Sequence, residues 1–202
     1  MCIRDRSEAD LFTIDSSSQS LDEKRKEEFH SIIASISYIA KRIKPECLVV
    51  TSMLASRVHC ATEQDWCKLE RLLAYINHTR DLPLCLEMND SYPVQISASI
   101  DSSHATHGDY RGHTGVYITL GKGCVQAISV KQTINTKSSA ETELVAVSDG
   151  ATPVINVQNI ILCQGLQCEP ACIDQDNQST LAMLSKGPVS YTHLTLPTNR
   201  EV

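Results

Sequence analysis

The chain has 202 residues, 42% hydrophobic and 21% charged, which excludes disorder as the main state and suffices for one large or two small domains with a buried core. No apolar run approaches the roughly 18–20 residues of a membrane-spanning helix. Eighteen Lys and Arg against 24 Asp and Glu leave a net charge of −6. That balance argues against holding nucleic acid by bulk positive charge, so such a partner needs a local basic face or a bridging cation.

The nine cysteines form no C-x-x-C pair and have no histidines at zinc-ligand spacing, so reduced structural thiols are expected. Met1-Cys2-Ile3-Arg4-Asp5-Arg6 lacks the apolar segment of a secretory signal, which makes an intracellular, reducing compartment the default. The triplets Asn77-His78-Thr79 and Asn89-Asp90-Ser91 match a glycosylation acceptor but mean little without secretion. Both ends resemble the two strands of a translated sequencing-library adapter, over residues 1–6 and 188–202. They are expected to lie outside the fold, leaving a piece of a longer protein.

In chain order, residues 7–21 are polar and aperiodic and read as a linker. Phe29, Ile32, Ile33, Ile36, Ile39, Ala40 and Ile43 then recur at helical spacing and predict a helix over residues 22–44, closed by Lys44-Pro45. Residues 46–57 are a second helical candidate. Thr62, with Glu63 and Asp65 behind it, caps a third, whose apolar stripe is Trp66, Leu69, Leu72, Leu73 and Ile76. A short strand fits residues 84–88, so residues 22–90 read as a helical unit.

From residue 91 the period changes. Val94, Ile96, Ala98 and Ile100 alternate with polar residues, the signature of a half-buried strand ending at Asp101. Residues 116–120 and 124–130 flank Gly121-Lys122-Gly123 and predict a hairpin; Gly-Lys-Gly is too short for a phosphate loop. Ser138 and Glu141 form a capping box that opens a helix carrying Glu143, Leu144, Val147 and Ala151. Pro153 is expected to kink or restart that helix, with Thr152 as a new cap and an end near Gly165. A strand within residues 168–175 and a helix over 178–185 complete the order β-β-β-α-β-α.

This order puts three acids at element ends that can converge: Asp101, Glu143 and Asp176. Crowded carboxylates repel until one is protonated or a cation joins them. Magnesium suits an all-oxygen site and can hold phosphate oxygens beside an activated water, so phosphodiester hydrolysis is plausible chemistry. Each acid also has an ordinary reading. An Asp closing a strand is commonly a turn residue, and Glu141 is explained by capping. Glu143 lies too far into its helix to cap, and Asp174 shares a strand face with Asp176, which leaves that choice open on spacing alone.

Thr114-Gly115, Lys131-Gln132, Asn135-Thr136-Lys137-Ser138-Ser139-Ala140-Glu141-Thr142-Glu143-Leu144-Val145-Ala146 and Asp176-Asn177-Gln178-Ser179 resemble, in order, the ribonuclease H region of copia-type LTR retrotransposon polyproteins. Upstream, the segments from Phe29 to Pro45 and from Ala61 to Ile76 resemble the helices that join reverse transcriptase to ribonuclease H in the same family. The resemblance covers about residues 10–187. It implies an α/β, ribonuclease H-like mixed sheet with flanking helices, occupying residues 91–187, truncated at its C-terminus and preceded by the helical connection segment.

By motif the resemblance assigns Asp101, Glu143 and Asp176 to the first three metal-binding and catalytic acids, with Asp174 second to Asp176. It implies two Mg2+ ions, with Mn2+ an alternative, and an RNA–DNA hybrid substrate whose RNA strand is hydrolysed. The remainder of the pol polyprotein is the implied protein partner, no membrane is involved, and the implied setting is a cytoplasmic particle or the nucleus. A fourth acid and the polymerase's paired aspartates are not found in the sequence, so a weak or inactive nuclease is expected. The alternative is a non-catalytic remnant acting as a folded connection or binding module. The acid order disfavours an integrase-type nuclease, and no Ser or Cys hydrolase motif is recognisable. Residues 22–80 carry ten basic and eight acidic side chains, residues 94–187 five and eight. Any phosphate tracking is therefore expected from the helical part, through Lys41, Arg42 and Lys44, although a solvated charged helix end is the favoured reading of that trio.

Overall fold

A computed structural model describes residues 12–186; the adapter-like ends and the start of the expected linker lie outside the described residues. The chain divides into two compact units between Leu84 and Cys85. Among the described residues no helix is long and apolar enough to cross a membrane, and the eight described cysteines are free thiols.

The first unit is built on three helices, α1 (Glu23–Ala40), α2 (Leu48–Ala55) and α3 (Glu63–His78). Asp22 caps α1 by accepting from the Arg25 amide at 2.8 Å, and Phe29, Ile33, Ile36 and Ala40 form its buried face. Helix α1 stops at Ala40, short of the expected Lys44, and Ile43 is exposed. On α3 the buried apolar positions are Leu69 and Leu72. The α3 cap is electrostatic as well as local: both the amide and the hydroxyl of Thr62 donate to Asp65, and the Arg57 Nε reaches the same buried carboxylate at 2.8 Å. The last residues of the expected linker are part of this unit. Leu21 is buried and its amide donates to the Ala61 carbonyl, while Ser20 bridges Thr62.

Lys44 does not join a basic patch. Its ammonium is buried, donates to the Thr79 carbonyl at 2.6 Å and the Leu82 carbonyl at 3.3 Å, and lies 3.6 Å from Glu46. It satisfies the carbonyls that the end of α3 leaves over, so of the three cations named from the sequence only Lys41 and Arg42 remain exposed. Arg42 lies over the Tyr38 ring at 3.7 Å from its centroid.

The second unit comprises β1 (Glu87–Met88), β2 (Ser97–Ser103), β3 (His113–Thr119), β4 (Gly121–Lys122), β5 (Gln126–Lys131), α4 (Ser139–Cys163), β6 (Cys172–Asp174) and α5 (Gln178–Lys186). The main sheet has the order β5-β3-β2-β6, antiparallel except for the parallel pair β2/β6. This is the mixed α/β architecture expected from the sequence, with its elements in the expected order. Strands β3 and β5 are the arms of the predicted hairpin, but the intervening Gly121-Lys122 pairs with Glu87-Met88, which attaches residues 85–90 to this unit. At Gly123 φ is +74°, and an added Cβ would meet the Cys85 carbonyl at 2.1 Å, so only glycine fits there.

Val94, Ile96, Ala98 and Ile100 are all buried, as their alternation requires, and pack with Val116 and Ile118 against Ala146, Val154 and Ile161 of α4. Helix α4 does not break at Pro153. It runs unbroken over 25 residues with Pro153 and Val154 buried, because burial along the sheet outweighs the loss of one backbone hydrogen bond. Gly150 allows the close approach: a Cβ there would lie 2.5 Å from Ile100 Cδ1.

Candidate metal centre

The topology decides which side chains meet. Strands β2 and β6 are parallel neighbours in the register Ser97↔Cys172, Ala98↔Ile173 and Ser99↔Asp174. The same offset carried forward sets Asp176 level with Asp101, whereas Asp174 is level with Ser99, one pleat short. Asp101 lies within β2, which continues to Ser103 by pairing with β3, and its side chain is exposed. Helix α4 begins at the same end of the sheet, and its fifth residue is Glu143. One carboxylate oxygen from each of Asp101, Glu143 and Asp176 lies within 4.8 Å of the other two. Asp174, the second choice from spacing, is outside this group.

The three acids differ in environment. Asp101 and Asp176 are exposed, and Glu143 is buried. Burial holds the Glu143 carboxyl above the usual range, and the charges of Asp101 and Asp176 push it the same way. Two polar side chains oppose them. The Gln175 Nε2 donates to Glu143 Oε2 at 3.0 Å, and the nearby Ser102 hydroxyl, buried without a hydrogen-bond partner of normal geometry, favours the ionised form of the same carboxyl. Gln175 is itself oriented, because its Oε1 accepts from the Asn177 amide at 3.0 Å, and Asn177 Oδ1 in turn caps α5 by accepting from the Thr180 amide. Asp101 Oδ1 accepts from the Ser102 amide at 2.7 Å.

Gln175 and Ser102 were not singled out from the sequence. Gln175 sits two residues beyond the buried Ile173, and that inward spacing was its available signal. Ser102 carried none, since its role depends on Glu143 arriving from α4.

As a donor set, the group fits a hard divalent cation. It offers three carboxylates and no nitrogen or sulfur ligand within its bounds, the chemistry preferred by Mg2+ and Mn2+ rather than Zn2+. A cation there also relieves the repulsion among three negative charges, one of them desolvated.

Comparison with known proteins agrees with the origin suggested by the motifs. The retrovirus-related Pol polyprotein from transposon RE2 of Arabidopsis thaliana is 24% identical over 168 residues, which is 83% of this chain. The chain resembles a retrotransposon Pol segment. It spans 11% of the length of that polyprotein, so the similarity concerns one Pol segment and not the whole. Among solved structures, the foamy viral protease-reverse transcriptase in complex with RNA/DNA hybrid aligns over 96% of this chain and 27% of its own, at a TM-score of 0.49 and 15% identity. No protein-family profile matches the Pol-like segment.

Proposed function

We propose that residues 85–186 form a ribonuclease H unit of a copia-type retrotransposon polyprotein, which hydrolyses the RNA strand of an RNA–DNA hybrid with Mg2+ or Mn2+. The observation that carries this reading is the convergence of Asp101, Glu143 and Asp176 at one end of a mixed sheet, in a chain similar to Pol over most of its length. A divalent cation held by these acids supplies charge neutralisation at the phosphate and acidifies an attacking water. The protein's own part is positional. Asp101 and Asp176 present exposed oxygens to cation and substrate, while Glu143, buried and held by Gln175, is the fixed ligand against which the others are aligned. The RNA–DNA hybrid is the proposed nucleic-acid partner, and the rest of the polyprotein the proposed protein partner.

The test is a titration of Mn2+ and Mg2+ into the purified chain, followed by incubation with hybrid, duplex DNA and duplex RNA of one sequence. Metal binding lost in Asp101→Asn, with cleavage confined to the RNA strand of the hybrid, is the expected result. Turnover should be low, because two of the three ligands are exposed and hold the metal weakly. Metal binding indifferent to Asp101→Asn would overturn the proposal. No binding at all would leave a folded module without chemistry.

A further inference from the structure

The two faces of helix α4 have different explanations. Its inner face, through Ala146, Val154 and Ile161, is covered by the sheet. Its outer face is apolar as well, yet Ile155, Ile160 and Leu162 are exposed, Ile160 at 58%. Leu166 joins them because Gly165, at φ +79°, turns the chain back and the Leu166 amide donates to the Ile161 carbonyl at 3.3 Å. Tyr92, also exposed, adjoins the same end, its hydroxyl accepting from the Gln167 amide at 3.2 Å. The outward face of a surface helix is ordinarily charged, as on α1, where Lys24, Glu27 and Glu28 are exposed. On α4 no charged residue occurs between Asp149 and Glu169.

The polar groups on this face decide what fits it. Between the apolar side chains stand the exposed amides Asn156 and Asn159. An amide carries both donors and an acceptor, so it complements another copy of itself, which a carboxylate or an ammonium does not. The rest of the unit is acidic, with five basic against eight acidic side chains over residues 94–187. Two copies therefore repel one another in most orientations, and an uncharged face is where they approach without that cost. A strongly acidic or basic partner would find no counter-charge there. Depletion of charge around apolar and aromatic side chains is the composition of an interface core. We propose that the outer face of α4 pairs with the same face of a second copy of this chain about a two-fold axis. Ile155, Ile160 and Leu162 interdigitate with their counterparts, and the Asn159 amides hydrogen-bond to each other near the axis, the use that a lone asparagine has in fixing helix register. From Ile155 to Cys163 the contact is about 13 Å long and roughly one helix wide, small beside the roughly 1,600 Å² of a standard interface, so the dimer is a reversible one.

The experiment is sedimentation equilibrium of the full chain over a concentration series, under reducing conditions so that the exposed Cys163 cannot cross-link. The unaltered protein should pass from one copy to two, half-associated at roughly 10–100 μM. Salt should tighten the association, because Asp149 and Glu169 border the face and repel between copies. Ile160→Glu and Ile160→Lys should each weaken it by about 30-fold or more. An equimolar mixture of the two should restore it, since opposite charges then meet across the axis. Leu162→Glu should repeat the loss at a second position, and Ile134→Glu, a comparably exposed substitution outside α4, should leave association unchanged. Thermal unfolding of each variant checks that the fold is intact. A chain that stays monomeric at roughly 300 μM, dimers that survive the charged substitutions or dissolve in salt, a mixture that fails to re-associate, or a mass that climbs past two copies would each overturn the proposal.

Discussion

Replacing Glu143 with glutamine should stabilise the metal-free protein and abolish its stabilisation by metal. In the absence of a cation, Glu143 is a buried carboxyl with two carboxylate neighbours inside 4.8 Å. At that separation and an effective dielectric of about 20, each like-charge pair is worth roughly 3.5 kcal/mol. Asp101 and Asp176 are exposed, so solvent and salt reduce the total to about 1–2 kcal/mol. Glutamine keeps an amide oxygen to accept from Gln175 and removes the charge, so this penalty disappears. For a unit of about this size the gain corresponds to a melting temperature higher by roughly 4–10 °C in a chelating buffer. The order should reverse with metal. At a hundredfold excess over its dissociation constant, Mn2+ stabilises the unaltered protein by about 2.7 kcal/mol, whereas Glu143→Gln, missing the fixed ligand, gains little. Differential scanning fluorimetry with EDTA or with graded Mn2+ measures both arms. A variant less stable than its parent in EDTA, or one stabilised by Mn2+ to the same extent, would refute the electrostatic reasoning.

Other parts of the molecule give further tests. His113 is buried, with Nδ1 3.0 Å from His107 Nε2 and Nε2 2.7 Å from Ser129 Oγ. Burial, and secondarily His107, pushes its pKa down to about 4 from 6.5. The unfolded chain therefore takes up a proton first as pH falls. The resulting stability is complete above pH 6.5 and is lost as pH drops from there to about 4, by up to about 3 kcal/mol; urea unfolding at stepped pH should show this slope, and His113→Gln should flatten it. Lys44→Met should destabilise the first unit by about 2 kcal/mol, because the carbonyls of Thr79 and Leu82 lose their buried donor, without the weaker phosphate binding expected of a surface lysine. Gly150→Ala should destabilise the second unit by about 1–3 kcal/mol in urea melts: the new methyl meets Ile100 2.5 Å away, and the helix-propensity gain of about 1 kcal/mol offsets only part.

What the sequence disclosed depended on whether the signal was local. The buried faces of α1 and α3 and the alternation from Val94 to Ile100 are periodic: all four alternating positions are buried, as are Phe29, Ile33, Ile36 and Ala40 of α1 and Leu69 and Leu72 of α3, while Ile43 and Leu73 at the edges of the expected stripes are exposed. The cap at Ser138 is local too, and its side chain accepts the Glu141 amide as expected. Pro153 misled because the penalty of an interior proline is a local quantity, while the packing that overrides it comes from β2 and β3, distant in the chain. Lys44 misled for a similar reason: in sequence it stands beside Lys41 and Arg42, but its partners are carbonyls 35 and 38 residues away.

The choice between Asp174 and Asp176 shows the same division at the site itself. Both aspartates share a strand face, so no count within their own segment separates them. What separates them is the register of β6 against β2, and that register is tied to burial. A slip by two residues, the one that would bring Asp174 level with Asp101, keeps the faces but puts Ala171 in the place of Ile173 and Ile173 in the place of Gln175, leaving a buried apolar gap and Glu143 without its donor. Packing of Ile173 therefore selects which acid reaches Asp101. The same packing delivers Gln175 to the one acid of the three that is buried. The site's charges are thus set in place by apolar contacts several residues away, and a substitution such as Ile173→Ala should disturb metal binding without touching a ligand.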